Sequence, residues 1–227
     1  MAKKNVTRNV ILALDTSVSQ CSVSLLKGEV LIAEKSSSIQ ESQSEKLFSF
    51  IQCIFSEANL TLKNLKAIGV GVGPGNFTGL RIGISAAKGL AMALKIKVFG
   101  VNRFETLIEK NQPTLTLVAS TKKSFYTQLF INKKPTKTPT ENTLSEILEK
   151  NYSPNTIVSG DSAIEIAKNL NLQHGLNNSV PRTEKIGAIT LRYLKTGGPS
   201  PAPLYIKGPD AKLPKEPIPV VLGSNVQ

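Results

Sequence analysis

The sequence has no tryptophan, one histidine and two cysteines. The histidine, His174, lies in a polar stretch, so zinc chemistry that needs two histidines is excluded and no Ser/His/Asp or Cys/His set is apparent. Cys21 and Cys53 are too few for a disulfide framework and form no C-x-x-C pair, and we interpret both as small core residues. These absences predict no metal site and little catalytic machinery in this chain.

Long hydrophobic runs are also missing. The apolar run VILAL near the amino terminus is shorter than the core of a signal peptide, and no later segment reaches the length of a membrane span. We therefore expect a cytoplasmic protein with no membrane partner.

Acidic residues are scarce relative to basic ones, with 16 Asp and Glu against 28 Lys and Arg and a formal net charge of +12. A basic excess of this size suggests a polyanionic partner such as RNA. However, the charge is spread over both halves of the chain, aromatic residues make up only 5% of it, and no RRM or KH signature is present. A lysine-rich solvated surface and an accessory contact with RNA both fit this composition.

Apolar patterning predicts an α/β fold in two lobes, residues 1–103 and residues 104–227. In the first lobe we predict strands over 10–15, 21–26, 30–35, 65–72 and 97–101, with helices over 41–60 and 78–94. In the second lobe we predict strands over 115–119, 125–131 and 156–159, a loop over 133–143, and helices over 144–150, 163–170 and 184–194. Seven of the 13 prolines lie between Pro199 and Pro219, which predicts an extended tail.

The segment from Gly69 to Gly83, GVGVGPGNFTGLRIG, has six glycines in fifteen positions at a strand-to-helix junction. Glycines at this density indicate the close approach of either a ligand or another part of a protein. The segment has no Walker A sequence, and Pro74 removes one backbone donor. If the turn does bind an anion or a nucleotide, the candidate residues nearby are Asp15, Thr16, Gly73, Gly75, Thr78 and Arg81. We expect Arg81 to pair with Asp15 or with a bound anion.

The two first-lobe helices present more apolar and small-residue surface than one sheet face covers. In the first, two apolar edges lie side by side; in the second, glycine and alanine recur at helical spacing. A partner protein packed on both helices would explain this surface, and so would deep burial. The predicted interface residues are Leu47, Phe48, Ile51, Phe55, Ile82, Gly83, Ala86, Ala87 and Gly89.

Three segments of the sequence resemble the TsaB (YeaZ) family. The resemblance rests on ILALDTSVSQCSVSLL, on the helix and turn ending in GPGNFTGLRIGISAAKGLA, and on PLYIKGPDAK in the tail, where Lys207 replaces a family arginine. It is strong over residues 9–107, weak over 108–200, and returns near 203–212.

The resemblance implies an ASKHA (actin-like ATPase / RNase H-like) fold and a non-catalytic subunit of the complex that makes N6-threonylcarbamoyladenosine at position 37 of tRNAs that read ANN codons. It implies pairing with a TsaD-like transferase through the two first-lobe helices, binding of a TsaE-like ATPase to the assembly, and a homodimer when the chain is alone. tRNA contact would come through the complex. It implies no cofactor in this chain, with ATP and metal in the partner subunits.

Two other hypotheses stay open at this point. One is an ATPase or kinase of the same fold that acts through Asp15 and the loop from Gly73 to Gly79, although this chain reads LDTS where such enzymes have Asp-x-Gly-Thr. The other is a free-standing tRNA-binding protein, which would bind tRNA alone in a salt-dependent manner.

Overall fold

The computed structural model describes residues 9–37, 43–121 and 123–207, which form two mixed β-sheets with flanking helices. The first sheet contains strands β1 (Val10–Asp15), β2 (Ser22–Lys27), β3 (Val30–Ser36), β4 (Leu65–Gly71) and β5 (Lys97–Val101) in the order β3-β2-β1-β4-β5. The β1–β2 and β2–β3 pairs are antiparallel, whereas β1–β4 and β4–β5 are parallel.

Strand β1 lies at the centre of this sheet because its sequence, VILALD, is apolar on both faces and every residue in it is buried. Helices α1 (Gln43–Glu57) and α2 (Phe77–Leu94) cover one face and form a core with Leu12, Leu14 and Ile68. The carboxyl ends of β1 and β4 therefore meet next to the start of α2.

The second sheet contains β6 (Thr114–Thr121), β7 (Ser124–Ile131), β8 (Lys134–Pro135), β9 (Thr140–Thr143), β10 (Ile157–Gly160) and β11 (Gln173–His174). Its order is β11-β10-β6-β7-β8, and β9 also pairs with β7. Three short helices belong to this half of the chain: α3 (Arg103–Thr106), α4 (Leu144–Leu148) and α5 (Ala163–Asn169).

The last helix, α6 (Thr183–Thr196), packs on the free face of the first sheet, where Ile186 and Ile189 contact a core with Ile11 and Phe99. The predicted division into residues 1–103 and 104–227 stays a prediction. Because α6 shares a core with the first sheet, we propose that a division of the chain should place α6 in the first lobe.

The predicted loop over 133–143 is wrong, since it contains β8 and β9. The sequence of β9, TENT, has no apolar pattern, but its backbone pairs with β7, and buried Asn142 donates hydrogen bonds to the Thr127 and Thr140 hydroxyls at 2.8 and 2.9 Å. Side-chain hydrogen bonds thus replace apolar burial in this strand. The strand at Gln173–His174 was likewise missed in a polar segment.

The other predicted strands and helices are present, and their described ends differ from the prediction by at most three residues. Residues 41–42 of the predicted first helix and residues 208–227 of the predicted extended tail lie outside the described residues. Within the described ranges, no helix combines the length and the apolar character that crossing a bilayer requires.

Candidate functional site

A tight turn at the end of β1 contains the first candidate residues. Asp15 is 3% exposed, and its Oδ1 accepts hydrogen bonds from the backbone N–H and the hydroxyl of Ser17, both at 2.8 Å. Burial raises the pKa of Asp15, while the Ser17 hydrogen bonds and the charge of Arg103 act in the opposite direction. Oδ1 of the carboxylate therefore accepts its hydrogen bonds within its own turn.

The glycine-rich segment encloses this turn. The Asn76 N–H donates a hydrogen bond of 2.6 Å to the Ser17 carbonyl oxygen, and a Cβ atom added to Gly75 would lie 2.1 Å from that same oxygen. A Cβ on Gly71 would lie 1.7 Å from Asp15 Oδ2. What approaches these glycines is thus the backbone and side chains of residues 15–17.

The same close packing continues into α2. The Thr16 hydroxyl donates a 2.6 Å hydrogen bond to the Gly79 carbonyl oxygen, and a Cβ on Gly83 would lie 2.4 Å from Thr16 Oγ1. Gly73 has φ +97°, a left-handed conformation that favours glycine, where the chain turns from β4 towards α2. The glycines at 73, 75 and 83 therefore allow the chain to turn and α2 to pack closely on the end of β1.

A half-buried arginine joins the two sheets at this junction. The Arg103 guanidinium donates hydrogen bonds to the backbone carbonyl and the hydroxyl of Ser179, and the Ser179 hydroxyl donates to Asp161 at the end of β10. The Arg103 backbone N–H also donates to the Gly73 carbonyl oxygen at 2.7 Å. Burial lowers the pKa of Arg103, whereas the charges of Asp161 and Asp15 raise it. A cation between two carboxylates thus occupies the junction.

Arg81 does not pair with Asp15, so that half of the expectation is wrong, whereas its pairing with a bound anion stays a prediction. Its guanidinium lies 3.7 Å above the ring of Phe77, and the Phe77 ring stacks on Tyr205 with 5.5 Å between centroids. Arg81 and Thr78 both lie on the exposed side of α2, away from the buried turn. Of the six predicted anion-site residues, Asp15, Thr16, Gly73 and Gly75 therefore come together, whereas Thr78 and Arg81 face solvent.

The predicted interface residues divide into two groups. Five are buried against the first sheet, because the same stripes of α1 and α2 that suggested a partner pack on it: Leu47, Ile51, Phe55, Gly83 and Ala87. The other four reach the surface: Phe48, Ile82, Ala86 and Gly89. A Cβ on Gly89 would meet nothing within 4 Å.

Two exposed residues outside the predicted set extend this surface. Phe77, at the first position of α2, is 52% exposed, and Met92 is 80% exposed. Met92 follows Ser85 and Gly89 at helical spacing, so the period of the helix could have identified it. We define the outer face of α2 by Phe77, Arg81, Ile82, Ser85, Ala86, Lys88, Gly89 and Met92.

The segment 199–207 lies beside this face and reaches the second sheet. The Leu204 N–H donates to the Val72 carbonyl oxygen at 2.8 Å, and the Pro199 carbonyl oxygen accepts from Gly100 at 3.0 Å. Lys207 then forms a 2.9 Å ion pair with Glu141 of β9. No local motif in the sequence could have revealed these contacts or the Arg103–Ser179 contact, since each joins distant parts of the chain.

Comparison with known proteins shows which family this chain is similar to. A family model described as TsaD, tRNA N6-adenosine threonylcarbamoyltransferase, matches residues 32–185. The protein named tRNA threonylcarbamoyladenosine biosynthesis protein TsaB from Escherichia coli is 34% identical over 113 residues, which cover 48% of each chain. The TsaB protein of Buchnera aphidicola from Schizaphis graminum is 36% identical over 102 residues, covering 45% of this chain and 48% of the relative. The alignments thus span about half the length of these relatives.

Solved structures show the same fold. YeaZ from Pseudomonas aeruginosa superposes with a TM-score of 0.66 at 22% identity, covering 87% of this chain and 99% of that one. An activator of 2-hydroxyisocaproyl-CoA dehydratase from Clostridium difficile, with bound ADPNP, superposes with a TM-score of 0.51 at 11% identity, covering 82% and 96%.

The two mixed sheets and these neighbours define an α/β protein of the ASKHA class, as predicted. The chain belongs to the family of the threonylcarbamoyltransferase model and, within it, to the TsaB (YeaZ) group.

Proposed function

We propose that this chain takes part in the synthesis of N6-threonylcarbamoyladenosine at position 37 of ANN-decoding tRNAs as a non-catalytic subunit. In this proposal it binds a TsaD-like transferase through the outer face of α2 and the exposed part of α1. Membership of the TsaB (YeaZ) group and the names of the relatives support the pathway.

One observation supports the choice of a scaffold over an enzyme: residues 15–17 pack directly against Gly71, Gly75 and Gly83 of the glycine-rich segment. A nucleotide at this site would have to displace a turn held by the Asp15, Thr16 and Asn76 hydrogen bonds. By contrast, the outer face of α2 is open, with exposed Phe77 and Met92 and free space at Gly89. These contrasts favour the scaffold over the ATPase or kinase alternative.

Three expectations from the resemblance stay predictions. They are the binding of a TsaE-like ATPase to the assembly, a homodimer of the isolated chain, and tRNA contact through the complex. The net charge of +12 is compatible with the last of these.

Reconstitution of the modification tests the proposal. We expect a TsaD-like transferase and a TsaE-like ATPase from the same organism to modify ANN-decoding tRNA only when this chain is added, with activity that saturates near equal amounts of chain and transferase. Nucleoside mass spectrometry of the tRNA measures the product. Full modification without this chain would contradict the proposal, and so would activity that shows no dependence on its concentration.

A further inference from the structure

A cavity of about 210 Å³ lies at the end of the second sheet where the parallel strands β6, β10 and β11 begin. The buried residues Thr114, Ile157 and Ser159 line its floor, and the exposed residues Glu109, Lys110 and His174 line its rim. Pockets for drug-sized ligands have volumes of about 300–1,000 Å³, so this cavity suits a smaller molecule.

The hydroxyl of Ser159 has no hydrogen-bond partner in the part of the chain that the structure describes, although the residue is only 1% exposed. The two nearest hydroxyls on the same face of the sheet do have partners. Thr114 donates to the Gln112 carbonyl oxygen at 2.9 Å, and Thr116 donates to the Gln128 carbonyl oxygen at 2.8 Å. Because buried polar side chains are normally hydrogen-bonded, the Ser159 hydroxyl is available to an occupant of the cavity.

Gly175 keeps the space in front of this hydroxyl open. A Cβ atom at Gly175 would lie 2.3 Å from Ser159 Oγ and 3.2 Å from Ile157 Cγ2. The φ angle of Gly175 is outside the left-handed region, so the backbone itself does not require glycine here. In the described ranges, the unpartnered polar side-chain atoms that protein encloses completely are Ser24 Oγ and Gln128 Oε1. Ser159 Oγ is not one of them, because it opens into the cavity.

The rim of the cavity carries one exposed charge of each sign. Glu109 and Lys110 both line it, and neither forms an ion pair with another described residue. A molecule with only a negative charge would be repelled by Glu109, and a molecule with only a positive charge would be repelled by Lys110. A molecule with both charges is attracted by both side chains.

We infer that this cavity binds a small zwitterion of the α-amino acid type. The ammonium group of the ligand pairs with Glu109, and its carboxylate pairs with Lys110 and accepts a hydrogen bond from the Ser159 hydroxyl. Ile157 provides an apolar surface for a short side chain. The inference does not depend on the proposed function, because the cavity shares no residue with the outer face of α2.

Three related molecules test the need for both charges. L-alanine has both, L-alaninamide lacks the carboxylate, and N-acetyl-L-alanine lacks the ammonium group. Each is titrated into the ¹⁵N-labelled native chain, and the amide resonances of residues 157–159 and 173–175 report affinity and location by NMR. We expect L-alanine to bind at least about tenfold more tightly than either of the other molecules, because each of them loses one charged contact.

Two substitutions test the assigned contacts. Ser159→Ala removes the hydroxyl and should weaken L-alanine binding about tenfold, whereas Ser145→Ala, at an exposed serine outside the cavity, should leave it unchanged. Lys110→Glu places two carboxylates at the rim, so this variant should bind L-alaninamide more tightly than L-alanine. Lys168→Glu, at an exposed lysine outside the cavity, should keep the native order. Circular dichroism verifies folding.

The expected pattern is saturable binding that prefers L-alanine, weakens in Ser159→Ala and changes its preference in Lys110→Glu. Absence of a saturable change with L-alanine in the native chain would overturn the inference, and so would equal affinity for the three molecules. Native affinity of folded Ser159→Ala would overturn it as well. If Ser159→Ala does not fold, the exposed Lys110→Glu variant decides: an unchanged order of the three ligands overturns the inference.

Discussion

The Thr16 hydroxyl donates a hydrogen bond of 2.6 Å to the carbonyl oxygen of Gly79, which joins the end of β1 to the first turn of α2 across 63 residues of sequence. This bond forms only because Gly83, one turn further along α2, has no side chain at the point where Thr16 approaches. The position of α2 on the sheet, and therefore of its outer face, depends on this contact.

Two glycines of the same helix should respond oppositely to alanine. We expect Gly83→Ala to lower the free energy of unfolding by about 1–3 kcal/mol, because the added methyl group overlaps Thr16 Oγ1. Gly89→Ala should raise it by up to about 1 kcal/mol, because the site is open and alanine favours the helix. Urea unfolding measures both. Equal effects of the two substitutions would contradict this account of the junction.

Removal of the Arg103 side chain should destabilise the protein strongly. We expect Arg103→Ala to lower the free energy of unfolding by about 2 kcal/mol, because Asp161 and Asp15 lose a nearby half-buried cation and the Ser179 carbonyl oxygen loses a charged donor. Arg182→Ala is the control, since its 2.6 Å ion pair with Glu184 is at the surface and should contribute less than about 1 kcal/mol. A loss from Arg103→Ala no larger than that of the control would mean that Arg103 does not join the sheets.

The ion pair between Lys207 and Glu141 should stop stabilising the folded protein in acid. Hydrogen bonds from Ser124, Lys207 and Ser120 lower the pKa of Glu141 to about 2. Because the pKa is lowered in the folded state, ionised Glu141 contributes fully to the free energy of unfolding above the ordinary pKa of 4.5. This contribution disappears as the pH falls towards 2. The pair is solvent-accessible, so we expect less than about 1 kcal/mol. Urea unfolding at pH 6, 4 and 2.5 measures the free energy of unfolding, and Glu141→Gln should reduce its dependence on pH. If the free energy changes with pH as much in Glu141→Gln as in the native chain, the ion pair does not contribute in this way.

The isolated chain should not bind ATP. We expect titration with ATP and Mg²⁺ in a calorimeter to give no saturable heat, because the turn of residues 15–17 packs directly on the glycine-rich segment, and a nucleotide bound between them would have to displace it. The ADPNP-bound neighbour from Clostridium difficile, titrated in parallel, is the positive control. A saturable isotherm that Asp15→Asn abolishes would restore the ATPase or kinase hypothesis.

The sequence predicted all five strands of the first sheet and the three large helices that pack on it, because their apolar patterns are long and regular. It failed at β9, where backbone pairing and Asn142 hydrogen bonds replace an apolar pattern. It located the glycine-rich junction but not what fills it, since the approach of Ser17 to Gly75 joins residues far apart in sequence.

The interface prediction shows the same limit. Helical period alone could not separate Ala87, which packs on the sheet, from Ala86, which reaches the surface one position earlier. For this reason Ala87→Glu is a poor test of partner binding, because a carboxylate in the core would unfold the lobe.

The most direct test of the central claim is the affinity of the TsaD-like transferase for two variants at one position. Gly89→Ala and Gly89→Arg both fit the open space on the outer face of α2, but only arginine projects a long charged side chain into a docked partner. We predict that calorimetry gives Gly89→Ala native affinity and Gly89→Arg a loss of at least about 100-fold, with both variants folded by circular dichroism. Native affinity for folded Gly89→Arg would contradict the claim that this face binds the transferase.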